Sequence, residues 1–173
     1  MKYWKNDKNL YFKNFLRNIF YKIILCLILL KPNYLISDDD IESFNYDIKG
    51  KVERQETINF LSGSKFISFM HEGGFDTSIG KYGLYKCTGS IFYNKENVLE
   101  DMTYACEFKD QNSERFYSTG KRLKGSEIDR SVGRMKIIEG EGFWNKYSGF
   151  DCRYGLEYVE NIVFVNANCN KPN

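Results

Sequence analysis

The stretch 151-DCRYGLEYVENIVFVNANC-169 decides how the chain is read, because it folds back on itself with two cysteines meeting at its open end. Strand-forming residues flank Glu160-Asn161, the two-residue connection that tight hairpins use. Pairing Val159 with Ile162 then pairs Tyr158 with Val163, Leu156 with Val165, Tyr154 with Ala167 and Cys152 with Cys169. Side chains alternate with period two along a strand, so Tyr158, Leu156, Tyr154 and Cys152 share one face with their partners. The polar Arg153, Glu157, Asn166 and Asn168 fall on the other. Counting back from the turn, the cysteine rung is non-hydrogen-bonded, the close-approach position with Cα atoms roughly 4.5 Å apart, at the short end of disulfide geometry.

The same arithmetic works in 83-GLYKCTGSIFYNKENVLEDMTYACEF-108. Setting Cys87 opposite Cys106 centres a turn on Glu96-Asn97 and aligns Tyr85 with Phe108, Gly89 with Tyr104 and Ile91 with Met102, again with one apolar face. A Tyr104 ring would cover the bare backbone of Gly89. From Phe66 onward, short Tyr-, Phe-, Ile- and Val-rich segments are punctuated by Gly and Asn clusters, and no helical period runs through three turns. That pattern predicts an all-β fold. Residues 38–65 read as a polar lead-in holding one strand near Val52–Phe60, and residues 66–173 as the barrel domain.

Residues 1–37 read as an export signal. Lys2, Lys5, Lys8, Lys13, Arg17 and Lys22 precede an apolar run from Ile23 to Leu30. Those eight residues rise about 12 Å as a helix against a hydrocarbon core of roughly 30 Å, which favours a signal peptide over a membrane anchor. Without them, 25 − 7 = 18 basic residues face 23 − 1 = 22 acidic ones, a net charge of −4. A mildly acidic domain has no general attraction to nucleic-acid backbones. The remaining Cys87, Cys106, Cys152 and Cys169 form an even set in an exported chain, which predicts two disulfides in a periplasmic or secreted protein. The alternatives, Cys87 with Cys152 or with Cys169, stay open at this point.

The segment 139-EGEGFWNKYSGFDCRYGLEY-158 opens with Gly140, Gly142 and Phe143, has Gly149 seven residues later, and follows the strand-like Gly133–Ile138. With the upstream Gly80, Gly83 and Gly89, it resembles the glycine-aromatic strand signature of the allene oxide cyclase and dirigent superfamily. The resemblance implies an antiparallel up-and-down β-barrel of about eight strands with an apolar interior, here stapled by disulfides. It also brings, by fold analogy, a weaker expectation of cyclase or isomerase activity by enclosure. Tyr85–Gly89, YKCTG, is similar to a strand of exported MliC-type lysozyme inhibitors, which implies a small barrel acting on a protein partner through loops.

The residues themselves offer no catalytic set. His71 in MHEGG lacks the second histidine of a zinc helix, reads as a solvent-facing or loop histidine, and has no free thiol to activate. Four bridged cysteines and one histidine leave no metal-ligand set, and no cofactor motif stands out. Glu107, Asp110 and Glu114 flank a turn at DQNS and read as solvated. Lys121, Arg122, Lys124 and Arg130 belong to a mixed-charge segment, and the loop Leu123–Ser131 is the candidate contact for a protein partner. Tyr85, Tyr104, Tyr154, Leu156 and Tyr158 share inward faces, and phenolic hydroxyls inside a barrel need partners. They are the candidate lining of a pocket for a small apolar ligand. The sequence thus points to an exported binding module, with partner binding through loops as the alternative. A membrane enters only through the export signal.

Overall fold

The computed structural model describes residues 42–122 and 130–172. They form a closed barrel of antiparallel strands paired in chain order, with the last strand returning to the first. The strands are β1 (Ser43–Asn59), β2 (Lys65–Thr77), β3 (Tyr82–Tyr93), β4 (Leu99–Asp110), β5 (Arg115–Arg122), β6 (Arg130–Gly140), β7 (Asp151–Val159) and β8 (Ile162–Asn170). The segment 1–37 read as an export signal lies outside the described residues, as do residues 123–129 of the candidate partner loop.

Both hairpin registers fall where the alternation puts them. Cys152 stands opposite Cys169, and Tyr154, Leu156 and Tyr158 face Ala167, Val165 and Val163. Cys87 stands opposite Cys106. Both pairs are disulfides, with Cα atoms 4.1 and 4.0 Å apart, the close approach of a non-hydrogen-bonded rung. The β7–β8 turn puts Glu160 at φ 56°, a left-handed conformation that a non-glycine residue adopts at some cost.

Three expectations about the strands and their connections are corrected. The barrel begins at Ser43 and not at residue 66, and the strand expected near Val52–Phe60 is the upper half of β1. Phe44, Tyr46 and Ile48 alternate inward with Asn45, Asp47 and Lys49 outward, and this half pairs with β8 to close the cylinder. The β3–β4 connection is not centred on Glu96-Asn97. Asn94 pairs with Val98 around three residues, Asn97 takes φ 61°, and the register slips by one between Phe92 and Tyr93. The slip absorbs the extra residue before the cysteine rung, which is why that rung survives. Finally, the glycine-rich segment is not strand throughout, because Gly142–Tyr147 forms a 3-10 turn that plugs one end of the barrel.

The plug explains its own glycines. Gly142 and Gly149 sit at φ 55° and 90°, where the chain leaves and re-enters the wall, and the Trp144 backbone crosses so close to Gly140 that a side chain there would collide. Trp144 is fully buried, and its ring lies 4.3 Å from Phe116, which stacks on Phe108 at the same spacing. Tyr147 and Phe150 close over Phe44 at ring distances of 5.0 and 6.3 Å.

Asp110 anchors this end, and the solvated-turn reading of it does not hold. Its side chain is fully buried. One carboxylate oxygen accepts from Lys81 Nζ at 2.9 Å and from Trp144 Nε1 at 3.2 Å. The other accepts from the amides of Asn112 and Glu114 at 2.8 and 3.0 Å. One carboxylate thereby ties the β2–β3 turn, the β4–β5 turn and the plug together.

Candidate functional site

Three of the inward tyrosines above the plug, Tyr85, Tyr104 and Tyr154, each have a glycine well beside them. A side chain on Gly133 would land on the ring of Tyr154, one on Gly120 on that of Tyr104, and one on Gly50 on the hydroxyl end of Tyr85. Tyr104 thus leans over Gly120 in β5, and the ring covering Gly89 is Phe69, reaching in from β2. Large rings lying on bare strand backbone fill the cylinder, as side chains do in an eight-stranded barrel. Gly133→Ala should therefore destabilise by about 1–3 kcal/mol through overpacking. In a Tyr154→Leu background the same change should cost little, a non-additivity that a urea-denaturation double-mutant cycle reads directly.

What remains open is a chamber of about 40 Å³, with Tyr85, Tyr104, Tyr154, Leu156, His71 and Met102 in its wall. Four of the five residues expected to line a pocket thus meet around it. Tyr158, the fifth, is half-buried, with its hydroxyl 3.3 Å from Nε2 of His71. The volume accommodates a water or two, whereas an apolar cavity that takes benzene is roughly 150 Å³. The hydroxyls of Tyr85 and Tyr154 are buried without a hydrogen-bond partner. Burial pushes both upward, Tyr85 well above the ordinary phenol range and Tyr154 above it against the opposing pull of Tyr104 and Arg122, so they stay neutral.

His71 is not solvent-facing. It is 6% exposed, its ring 4.7 Å from that of Phe69 and edge-on to Tyr158. Burial lowers its pKa to about 4. The unfolded chain takes up that proton near pH 6.5 and the folded barrel only near pH 4. Stability from the neutral imidazole is therefore intact above about pH 6.5 and lost as pH falls to about 4, a loss of about 3 kcal/mol. Denaturation midpoints across that range should show this loss, and His71→Phe should flatten it. Arg122 also points inward and is 6% exposed, and its charge reaches Tyr154 and Tyr158. Neither burial was legible in a segment that reads as loop or mixed charge.

Among the described residues, no group of three or more His, Cys, Asp or Glu could hold a metal ion. An open depression of about 1220 Å³ lies on the outer wall, where Asn166 hydrogen-bonds Asp47 at 2.7 Å across the floor.

The wall is uneven at the end opposite the plug. β1 pairs with β8 only as far as Lys51, and the amide of Val52 makes a last bond to Asn161 at 3.0 Å. Beyond it, Glu53–Asn59 has β2 on one side and no described strand on the other. This extension carries apolar side chains outward. Ile58, Phe66 and Phe92 form one cross-strand row, Phe60 meets Phe92 edge-on at 6.1 Å, and Leu61 at the tip is fully exposed. Gly63 in this turn lies against Lys95 of the β3–β4 turn, which also exposes Val98.

No known protein family matches the chain, and no curated protein matches it significantly. Among solved structures it is similar to a conserved protein of unknown function from Rhodopseudomonas palustris. That likeness has a TM-score of 0.58 at 9% identity, over 74% of this chain and 96% of that one. At that identity the likeness concerns the fold alone. The two buried disulfides are of the kind found in periplasmic and extracellular proteins.

Proposed function

We propose that this is an exported, non-catalytic docking module: a disulfide-stapled barrel that holds its rim extension rigidly toward a larger partner. The observation that carries this reading is the contrast between the two ends of the molecule's chemistry. The interior leaves about 40 Å³ free, while the rim exposes Ile58, Phe60, Leu61, Phe92 and Val98 together. Contiguous apolar surface of this kind on a soluble domain marks a contact site. Export is part of the proposal, and it is supported by the basic-then-apolar N-terminus and the buried disulfides.

The experiment is fractionation of the producing cells. The native protein should travel with a large assembly or particulate fraction, and an Ile58→Thr, Phe60→Thr, Leu61→Ser variant should run free while keeping its melting temperature. A native protein that is free and monomeric in every fraction would overturn the reading.

A second reading, a small apolar ligand with a polar tip inside the barrel, is favoured by the unpartnered hydroxyls of Tyr85 and Tyr154. It requires Tyr85 or Tyr154 to leave its glycine well. Solvent extraction and mass spectrometry of the exported protein would then recover a stoichiometric small molecule, and Tyr158→Trp would lower its occupancy.

A further inference from the structure

We infer that the surface the rim docks on is a phospholipid bilayer, with Leu61 and Phe60 entering the interface as a wedge; this rests on the docking reading above. The apolar residues are arranged as a projection and not as a groove. The row Ile58–Phe66–Phe92 lies on the outer face of three adjacent strands, Phe60 packs on its end, and Leu61 stands beyond with no described side chain against it. A convex apolar tip with aromatic rings behind it suits the headgroup–acyl boundary, where the rings sit at the interface and the aliphatic tip enters the chains. Lys65 and Lys95 flank the tip, Lys95 70% exposed and paired with Glu96 at 3.6 Å across the surface, and Lys65 lying over Tyr93 at 4.8 Å. Cations so placed add attraction to anionic headgroups.

Two other occupants fit less well. The open edge of β1 could receive a strand, but it carries Glu53, Arg54 and Glu56, and charges of this sort guard an edge against pairing. Two copies pairing along Glu53–Asn59 would centre on Glu56, setting like charges opposite each other. The tip has no such guard.

The test is sedimentation of the purified exported protein with vesicles of mixed phosphatidylethanolamine and phosphatidylglycerol, and with vesicles of pure phosphatidylcholine. Binding to both is expected, tighter to the anionic mixture. Leu61→Asp should weaken it about tenfold or more. Leu84→Asp, an equally drastic change at a 69% exposed position on the outer wall of β3, should leave it unchanged. A Leu61→Trp variant should be quenched by lipids brominated on their acyl chains, which reads insertion and not mere adhesion. Failure to sediment with either vesicle, or equal loss in Leu61→Asp and Leu84→Asp, would overturn the bilayer inference. If the native protein still fractionates with a large assembly in a tip-dependent way, the docking reading stands and the partner is a protein.

Discussion

Replacing Cys152 and Cys169 by alanine lowers stability by about 3 kcal/mol from loop entropy alone, and the same holds for Cys87 with Cys106. The closed loops are similar, with sequence separations of 17 and 19. Packing separates the two pairs. All four cysteines sit in the main core cluster, but Cys152 and Cys169 are at most 1% exposed against 8% and 5% for Cys87 and Cys106, so loss of the 152/169 pair leaves the more enclosed void. The expected order in urea is therefore native, then the 87/106 variant, then the 152/169 variant. Removing both bridges costs about 6 kcal/mol, comparable to the whole stability of a domain of this size, and leaves the chain largely unfolded at 37 °C. Unchanged denaturation midpoints in either single-bridge variant would contradict the stapled barrel.

Asp110→Ala is expected to cost about 3–5 kcal/mol, because it removes the close partner of the buried Lys81 ammonium, leaving only Glu114 at 3.7 Å, and frees the Trp144 indole, Asn112 and Glu114 donors at once. Lys81→Met alone should cost a comparable amount for the converse reason. The pair replaced together by apolar residues should lose less than the two single changes added together, since no buried charge is then left unpaired and only the Trp144, Asn112 and Glu114 donors remain to be satisfied. Burial would push the Asp110 carboxyl upward. The hydrogen bonds from Lys81 and from the amides of Asn112 and Glu114 outweigh it and hold it below the ordinary aspartate value. Its contribution is therefore complete above about pH 4 and fades as pH falls further, below the window in which His71 acts. Because Trp144 Nε1 donates to Asp110, tryptophan emission should report release of the plug in the Asp110→Ala variant.

The two stapled hairpins were legible because their information is local: alternation, a turn and a cysteine rung lie within twenty residues of each other. The inward set Tyr85, Tyr104, Tyr154, Leu156 and Tyr158 followed from the same period. Its use was not legible, because whether a ring lines a pocket or fills a core depends on the bare backbone opposite. Gly50, Gly120 and Gly133 come from other strands, and spacing along the chain does not announce them as partners. The first strand reads as a polar lead-in although Phe44, Tyr46 and Ile48 alternate cleanly, since the mostly polar, exposed half from Glu53 onward dilutes the pattern. His71 and Asp110 look like surface residues because what buries them is remote: Tyr158 is 87 residues away, and Lys81 and Trp144 are 29 and 34. The glycines of 140–149 read as part of a strand signature, and a plug uses them for its left-handed turns at Gly142 and Gly149 and its close approach at Gly140.

The account turns on a barrel whose interior is occupied by its own tyrosines, leaving the rim to act. High-resolution electron density for protein purified from an oxidising compartment without refolding tests this most directly. The predicted result is Tyr85, Tyr104 and Tyr154 seated against Gly50, Gly120 and Gly133, with a water or two bridging the free hydroxyls in the chamber between them. Continuous density for a larger molecule there, with Tyr85 or Tyr154 displaced from its glycine, would contradict it and make the barrel a container.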